Sequence, residues 1–419
     1  MPANALYAQA GGVTAVINAT ACGVVQTALE RPDQIGSVYA AREGIIGVLR
    51  EDLIDLGRES EASIASLRYR PGGAFGACRF DLGDTETHRD QYDRLLEVFA
   101  AHDIGYFFYN GGNGSMLTAL KVAGMADARG YPLRVIGLPK TIDNDLIHTD
   151  NSPGYGSAAK FIATSVREAA LDVASMYGTS TRVFILETMG RNAGWLAAAA
   201  GLAFEEEDSP LMILFAERPF EHDDFLKRLR ATVDRHGYCV VAAAEGVRDT
   251  EGRFISIAQD NANQDWIQLG GAGPTIAQMV RQELGCKVHW AVADYLQRSA
   301  RHIASKTDVE QAYAMGRAAV DMALAGEHAV MPVIERLSDE PYRWQVGKVS
   351  LAEVADLEWK VPPEFIRGDG YGITAAARRY LKPLIEGEDP PPFRNGLPDY
   401  PPLCLQQVER KLEPYTSAA

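Results

Sequence analysis

The chain carries no C-x-x-C pair. Its five cysteines, Cys22, Cys78, Cys239, Cys286 and Cys404, are scattered along the sequence, which excludes a zinc ribbon or a disulfide framework and suits a reducing cytoplasm. Nowhere do about 18 apolar residues run uninterrupted, the length that a membrane-crossing helix needs. The N-terminus also lacks a charged stretch followed by an apolar one, so a soluble, unexported protein is expected. Basic charge is short as well: 41 Lys and Arg stand against 56 Asp and Glu, a net charge of −15. That balance repels nucleic acid and anionic membrane over most of the surface, so an anionic substrate must meet a local cluster of cations. The eight histidines show no metal-ligand spacing. After Gly11-Gly12 the sequence runs Val-Thr-Ala-Val-Ile, without the G-x-G-x-x-G fingerprint that a nicotinamide-dependent enzyme would place there.

What remains is an ordinary folded composition, 47% apolar and 23% charged over 419 residues, long enough for two lobes with a cleft between them. Five short apolar runs end in glycine or polar residues: Ala5 to Ala10, Ile104 to Tyr109, Leu133 to Leu138, Val183 to Leu186 and Cys239 to Ala244. Helical stretches separate them, including an apolar stripe of Ile162, Val166, Ala169, Val173 and Met176. The alternation argues for an α/β fold with mainly parallel, helix-covered sheets. Ligands of such sheets sit beyond the carboxyl ends of the strands. Past about residue 340 the proline clusters Pro362-Pro363, Pro390 to Pro392 and Pro401-Pro402 read as a tail of short helices and extended packing segments.

Chemistry concentrates at the strand ends. Pro139-Lys140-Thr141-Ile142-Asp143-Asn144-Asp145 places a cation, a hydroxyl and two carboxylates in one loop, the groups that phosphoryl transfer to an alcohol requires. A calcium loop is excluded because Ile147 and His148 stand where ligands and glycine belong. Gly11-Gly12, before a helix-like Val13 to Leu29, and Gly111-Gly112-Asn113-Gly114-Ser115 are strand-to-helix turns whose backbone N–H groups can approach phosphate. Taken singly, either is as readily a tight turn. Ser115 can cap a helix carrying Met116, Leu120 and Ala123. Met189-Gly190-Arg191-Asn192-Ala193-Gly194 is expected to open a helix where an anion meets N–H groups and a guanidinium. Arg79, Arg182, Arg191 and Arg298, each taken alone, read more readily as surface charges. Glu245, at a strand tip, is a candidate acceptor for sugar hydroxyls.

In this order and separation, Gly11-Gly12, Gly111 to Ser115, Pro139 to Asp145 and Met189 to Gly194 resemble the phosphofructokinase family over roughly residues 5 to 335. That resemblance implies a two-lobed phosphofructokinase-like fold. Residues 1–153 with about 299–340 would bind the phosphoryl donor, residues 154–298 the sugar phosphate, and 341–419 would form a C-terminal extension packing on the lobes. The implied reaction is reversible phosphoryl transfer to fructose 6-phosphate, a glycolytic step, in a Mg²⁺-dependent cytoplasmic enzyme. Asp143 would be the base, with Lys140 and Arg191 assisting catalysis. Thr141, Asp145, Met189, Gly190 and Glu245 would bind the sugar, and Tyr295 with Arg298 its 6-phosphate. Gly11, Gly12, Arg79, Gly112, Gly114 and Ser115 would bind the donor. Arg182, and by a looser alignment Lys287, resemble residues that reach a neighbouring subunit's site, which implies a homodimer or homotetramer with shared active sites.

The donor is set by two positions that disagree. Family members using pyrophosphate carry Lys at position 140, where ATP users have Gly, but Gly114 follows the ATP-using pattern. Lys140 acts directly on the transferring group, whereas Gly114 only fails to exclude ATP, so pyrophosphate is the expected donor and ATP the alternative. Asn113 is the candidate Mg²⁺ residue. Being neutral where ATP users have Asp, it would leave the metal chiefly to pyrophosphate and to Asp residues elsewhere. An inactive sugar-phosphate-binding regulatory protein is the alternative of a different class.

Overall fold

The computed structural model of the chain describes residues 2–80, 82–255 and 270–415. The first part of the chain contributes β1 (Asn4–Gln9), β2 (Val38–Ala41), β3 (Leu53–Asp55), β4 (Ile104–Gly111) and β5 (Arg134–Pro139). The second contributes β6 (Val183–Thr188), β7 (Leu211–Leu214), β8 (Pro219–Phe220), β9 (Cys239–Ala244), β10 (Arg248–Asp249) and β11 (Val288–Val292). A long hairpin of β12 (Val330–Asp339) and β13 (Tyr342–Ser350) follows, then a small one of β14 (Phe393–Arg394) and β15 (Leu397–Pro398).

All five apolar runs become strands, β1, β4, β5, β6 and β9, and each is buried along all or nearly all of its length. Burial on both faces is what a near-continuous apolar strand satisfies in a helix-covered parallel sheet. A seven-stranded sheet has the order β13-β12-β5-β4-β1-β2-β3, with antiparallel pairing only at its two edges. A four-stranded sheet, β11-β6-β9-β7, is parallel throughout. The first sheet runs on to Ser350, past the boundary expected near 340, because β12 pairs with β13 as a hairpin at its edge.

Local departures from the sequence expectations have simple causes. The stripe on the helix Tyr155–Met176 runs through Ile162, Val166, Ala170 and Val173, while Met176 is exposed. At about 1.5 Å per residue this 22-residue helix outruns the strands that it covers. The helix after Gly11-Gly12 begins only at Ile17, beyond a turn in which the Val16 N–H meets the Thr14 hydroxyl at 3.4 Å. Gly112, not Ser115, precedes the helix Asn113–Ala128, and its extended backbone supplies the turn without a side-chain cap. Arg191 lies in a bend ahead of the short helix Trp195–Ala199 rather than inside it, the left-handed Gly190 (φ +131°) delaying the helix.

The C-terminal extension packs on both sheets' cores. Val361, Ile373, Tyr380, Leu381 and Leu384 are buried with the four-stranded sheet's core, and Val408, Leu412 and Tyr415 pack against that of the seven-stranded sheet. Fully burying an aliphatic side chain such as Leu381 or Leu384 contributes about 1.5–3 kcal/mol.

Candidate active site

The chain order of the seven-stranded sheet reverses between β1 and β4, so the turns that leave them flank a crevice. Gly11 takes φ +71° in the first turn. A side chain there would stand 3.3 Å from the Lys140 Nζ, so glycine allows the ammonium to lie against the backbone. The Lys140 ammonium donates to the Gly12 carbonyl at 2.5 Å. Gly11, Gly12, Cys78, Arg79, Gly112, Asn113, Gly114, Ser115, Lys140, Thr141, Asp143 and Asp145 line one cavity of about 360 Å³. Every residue that the sequence assigned to the donor is therefore brought together with the loop after β5.

That loop is held by its own polar groups. Thr141 Oγ1 accepts the Asp143 N–H at 3.0 Å and donates to Asp143 Oδ2 at 3.3 Å, which aims the carboxylate. Burial raises the Asp143 carboxyl above its usual range, against the Thr141 hydrogen bond and the Lys140 charge. Asp145 is pushed up to about 7 by burial and by the Asp143 charge. Lys140 is pushed down to about 8, chiefly by burial; Asp143 and Asp145 oppose the shift, while Arg79 and Arg298 add to it.

Two oxygens in the cavity, Asn113 Oδ1 and Asp145 Oδ1, are buried without a hydrogen-bond partner. The Asn113 amide meanwhile donates to Asp145 Oδ2 at 3.3 Å. A carboxylate, an amide oxygen and the oxygens of a phosphate ligand form a hard donor set of the kind Mg²⁺ prefers, so these residues fit a bound magnesium ion. Among the described residues no cluster of three or more His, Cys, Asp or Glu could hold a metal ion without such a ligand.

The four-stranded sheet brings the opposite wall. Glu245 accepts the Gly190 N–H at 3.4 Å, and its own N–H donates to the Thr188 carbonyl at 2.9 Å, tying the ends of β6 and β9. Burial pushes the Glu245 carboxyl up to about 7. The Met189 N–H donates to the buried Gln297 at 3.3 Å. Arg298, one residue on, spans to the other wall: a side chain on Gly12 would meet its Nη1 at 2.7 Å and Arg79 Nη2 at 3.2 Å. Arg79, Lys140 and Arg298 thus converge over Gly12. The exposed Tyr295 ring stacks under Arg298, 3.8 Å from the guanidinium carbon. Arg182 is not part of this assembly. It precedes β6 at the strand's far end, donates to the Gly237 carbonyl at 3.2 Å, and its N–H reaches Lys287 O at 3.0 Å.

Sequence reasoning missed several groups behind these loops. Glu187 accepts the N–H groups of Gly271 at 3.0 Å and Gly273 at 2.8 Å, capping the helix Ala272–Leu284. Glu217, Glu358, Trp359 and Tyr380 contact the site loops from elsewhere in the chain. For Glu187 the signal was present, an acidic residue closing an apolar strand; the others lie in segments with no motif.

Glycine turns, cations and carboxylates gathered where two sheets meet are the arrangement of a phosphotransferase, and residues 4–323 match the Phosphofructokinase family model. The chain belongs to the phosphofructokinase family. It is 58% identical over 410 residues to the pyrophosphate--fructose 6-phosphate 1-phosphotransferase of Methylococcus capsulatus, covering 98% of each chain. The enzyme of the same name from Halomonas elongata is 57% identical over 413 residues, again with 98% of each covered. Among solved structures, the pyrophosphate-dependent phosphofructokinase of Nitrosospira multiformis superposes with a TM-score of 0.92 at 54% identity, covering 99% of this chain and 100% of that one.

Proposed function

We propose that the chain reversibly transfers a phosphoryl group from pyrophosphate to fructose 6-phosphate, giving fructose 1,6-bisphosphate and phosphate. The observation that carries this reading is the pairing of Lys140 and Arg79 in the cavity that also holds the Asp143 carboxylate, with Arg298 meeting them over Gly12. Lys140 and Arg79 hold the donor, with Arg298 reaching over from the sugar side, while the carboxylate takes the proton of the attacking 1-hydroxyl. The sugar oxygen bonds to phosphorus, the bridging P–O bond breaks, and the charge on the leaving phosphate is met by Lys140 and Arg79. In reverse, Asp143 returns the proton. Asn113 and Asp145 would hold Mg²⁺ with the donor's oxygens, and the ion supplies neutralisation of phosphate charge when bound. Arg191, Met189, Gly190 and Glu245 hold the sugar, and Arg298 with Tyr295 its 6-phosphate.

The seven-stranded sheet then serves as the donor lobe and the four-stranded sheet as the sugar lobe. Arg182 and Lys287, remote from their own site, act in a neighbouring subunit's, which makes the working form a homodimer or homotetramer. The outer edge strand β11 supports this: four of its five residues, including Trp290 and Val292, are exposed. Five free cysteines suit a cytoplasmic enzyme. No described helix is long and apolar enough to cross a membrane.

Gly114, exposed on the rim of the cavity, supports the second reading, ATP as donor. Side-by-side initial rates with pyrophosphate and ATP, each with Mg²⁺, test the donor; silence with pyrophosphate and turnover with ATP overturns the first reading. We expect Asp143→Asn to lower kcat by about 10²- to 10⁴-fold while fructose 6-phosphate binding, followed by calorimetry, survives. An unchanged kcat removes Asp143 as the base.

A further inference from the structure

Tyr380 reaches the catalytic loop from 236 positions downstream. Its hydroxyl accepts from Asn144 Nδ2 at 2.9 Å and donates to the Asp150 carbonyl at 2.6 Å. Asn144 is 1% exposed and stands between Asp143 and Asp145 with φ +54°, a left-handed conformation that costs little only for Gly, Asn and Asp. Its Oδ1 takes the Ser152 N–H at 2.9 Å. Both ends of the Asn144 amide are therefore anchored, and the conformation of this residue sets the directions in which the two flanking carboxylates leave the chain.

The extension takes a second hold one residue further on, where the Trp359 N–H donates to the Asp145 carbonyl at 2.8 Å. The same strap, residues 358–361, crosses to the loop after β6. Glu358 accepts from Asn192 Nδ2 at 3.0 and 3.3 Å, and the Trp359 carbonyl takes the Trp195 indole N–H at 3.2 Å. The Val361 and Gly194 N–H groups share one oxygen of Glu217, each at 2.9 Å. Tyr380 and the strap stand behind the loops, and none of them lines the 360 Å³ cavity.

We propose that Tyr380 is a positioning residue for phosphoryl transfer: together with the 358–361 strap it fixes the left-handed Asn144 and ties the loop bearing Asp143 to the sugar-side loop across the cleft. The inference rests on the reading of Asp143 as base. It gives the C-terminal extension a part in the reaction beyond packing. A base displaced by an ångström no longer meets the hydroxyl in line, and such misplacement costs rate far more than it costs binding.

The test is Tyr380→Phe in the full chain. The ring keeps its place, since Arg336 packs 4.7 Å from its centroid and donates to the Tyr380 carbonyl at 3.0 Å, so the variant folds with Tm lowered by about a few degrees. We expect kcat to fall about tenfold or more, with KM for both substrates within about threefold of wild type. Asn144→Gly, which keeps the left-handed backbone but removes both anchors, should give the same split. Unchanged kcat in the folded variants, or a loss recovered in full at lower temperature where folding is complete, overturns the proposal. Asp143→Asn measured beside them separates the two readings. If it is dead while Tyr380→Phe is fully active, only the positioning role falls; if it is active, the base assignment falls first.

Discussion

Lys140 brings a charge into a place where charge is costly. Its side chain is 4% exposed, and Arg79 and Arg298 add repulsion. Burial dominates, which is why the ammonium titrates near 8 rather than at the ordinary lysine value of 10.5. The sign follows directly: the cation that would hold the donor is half lost at about pH 8, largely present a unit below and largely gone a unit above. Because kcat/KM reports the free enzyme, we expect kcat/KM for pyrophosphate to decline on the alkaline side with an apparent pKa of about 8. Lys140→Arg should carry that limb upward, since a guanidinium stays charged across the accessible range. A pH–rate profile of both proteins checks this, and a limb that stays in place in Lys140→Arg belongs to another group. Lys140→Gly should cost about 10²- to 10³-fold in kcat/KM for pyrophosphate, the range typical of removing one donor to a developing anion.

Among the elements, the glycine turns show how far a sequence pattern carries and where it stops. Gly12 has an ordinary φ and is glycine for space, because a methyl group there would stand 2.7 Å from Arg298 Nη1 and 3.2 Å from Arg79 Nη2. Both are tips of flexible side chains, so Gly12→Ala should leave Tm within about two degrees. It should push Arg79 off the proposed pyrophosphate site and Arg298 off the proposed 6-phosphate site, raising KM for both substrates, about tenfold for pyrophosphate. Thermal melting and steady-state kinetics on one preparation check it; a collapsed Tm with normal KM would make Gly12 a folding residue. The strands were legible because burial on both faces writes an unbroken apolar run, and the site loops because parallel strands end together. The start of the first helix was not, since Val13-Thr14-Ala15-Val16 is as apolar and as free of breakers as the helix that follows. Nor was the support of the loop bearing Asp143 legible. A tyrosine hydroxyl meeting Asn144 across 236 positions, or a Trp359 N–H on a carbonyl, leaves no periodicity or spacing to read.

In the whole molecule Arg182 stands at the wrong end of its strand to serve its own site. The residue precedes Val183, while Met189 follows Thr188 at the other end of β6, and six residues of strand at about 3.3 Å each separate the two by roughly 20 Å. An arginine that serves the sugar phosphate from there must serve another copy's site, and Lys287 shares that end, its carbonyl bonded to the Arg182 N–H at 3.0 Å. The proposal therefore predicts complementation between defects. Asp143→Asn and Arg182→Ala should each be nearly inactive alone, yet an oligomer containing both contains sites that draw Asp143 from one subunit and Arg182 from the other. With random assembly from equal amounts, half of all sites take an intact Asp143 and half of those an intact Arg182, so about one quarter of wild-type activity should return. The fraction is the same for a dimer and for a tetramer of such dimers, because only the two contributors to each site matter. Co-expression with two affinity tags measures it: the unfractionated mixture should show about one quarter, and a doubly purified heterodimer, with one intact site of two, about one half. Activity no higher than the sum of the two separate variants would place Arg182 outside the neighbouring site and leave each chain to complete its own.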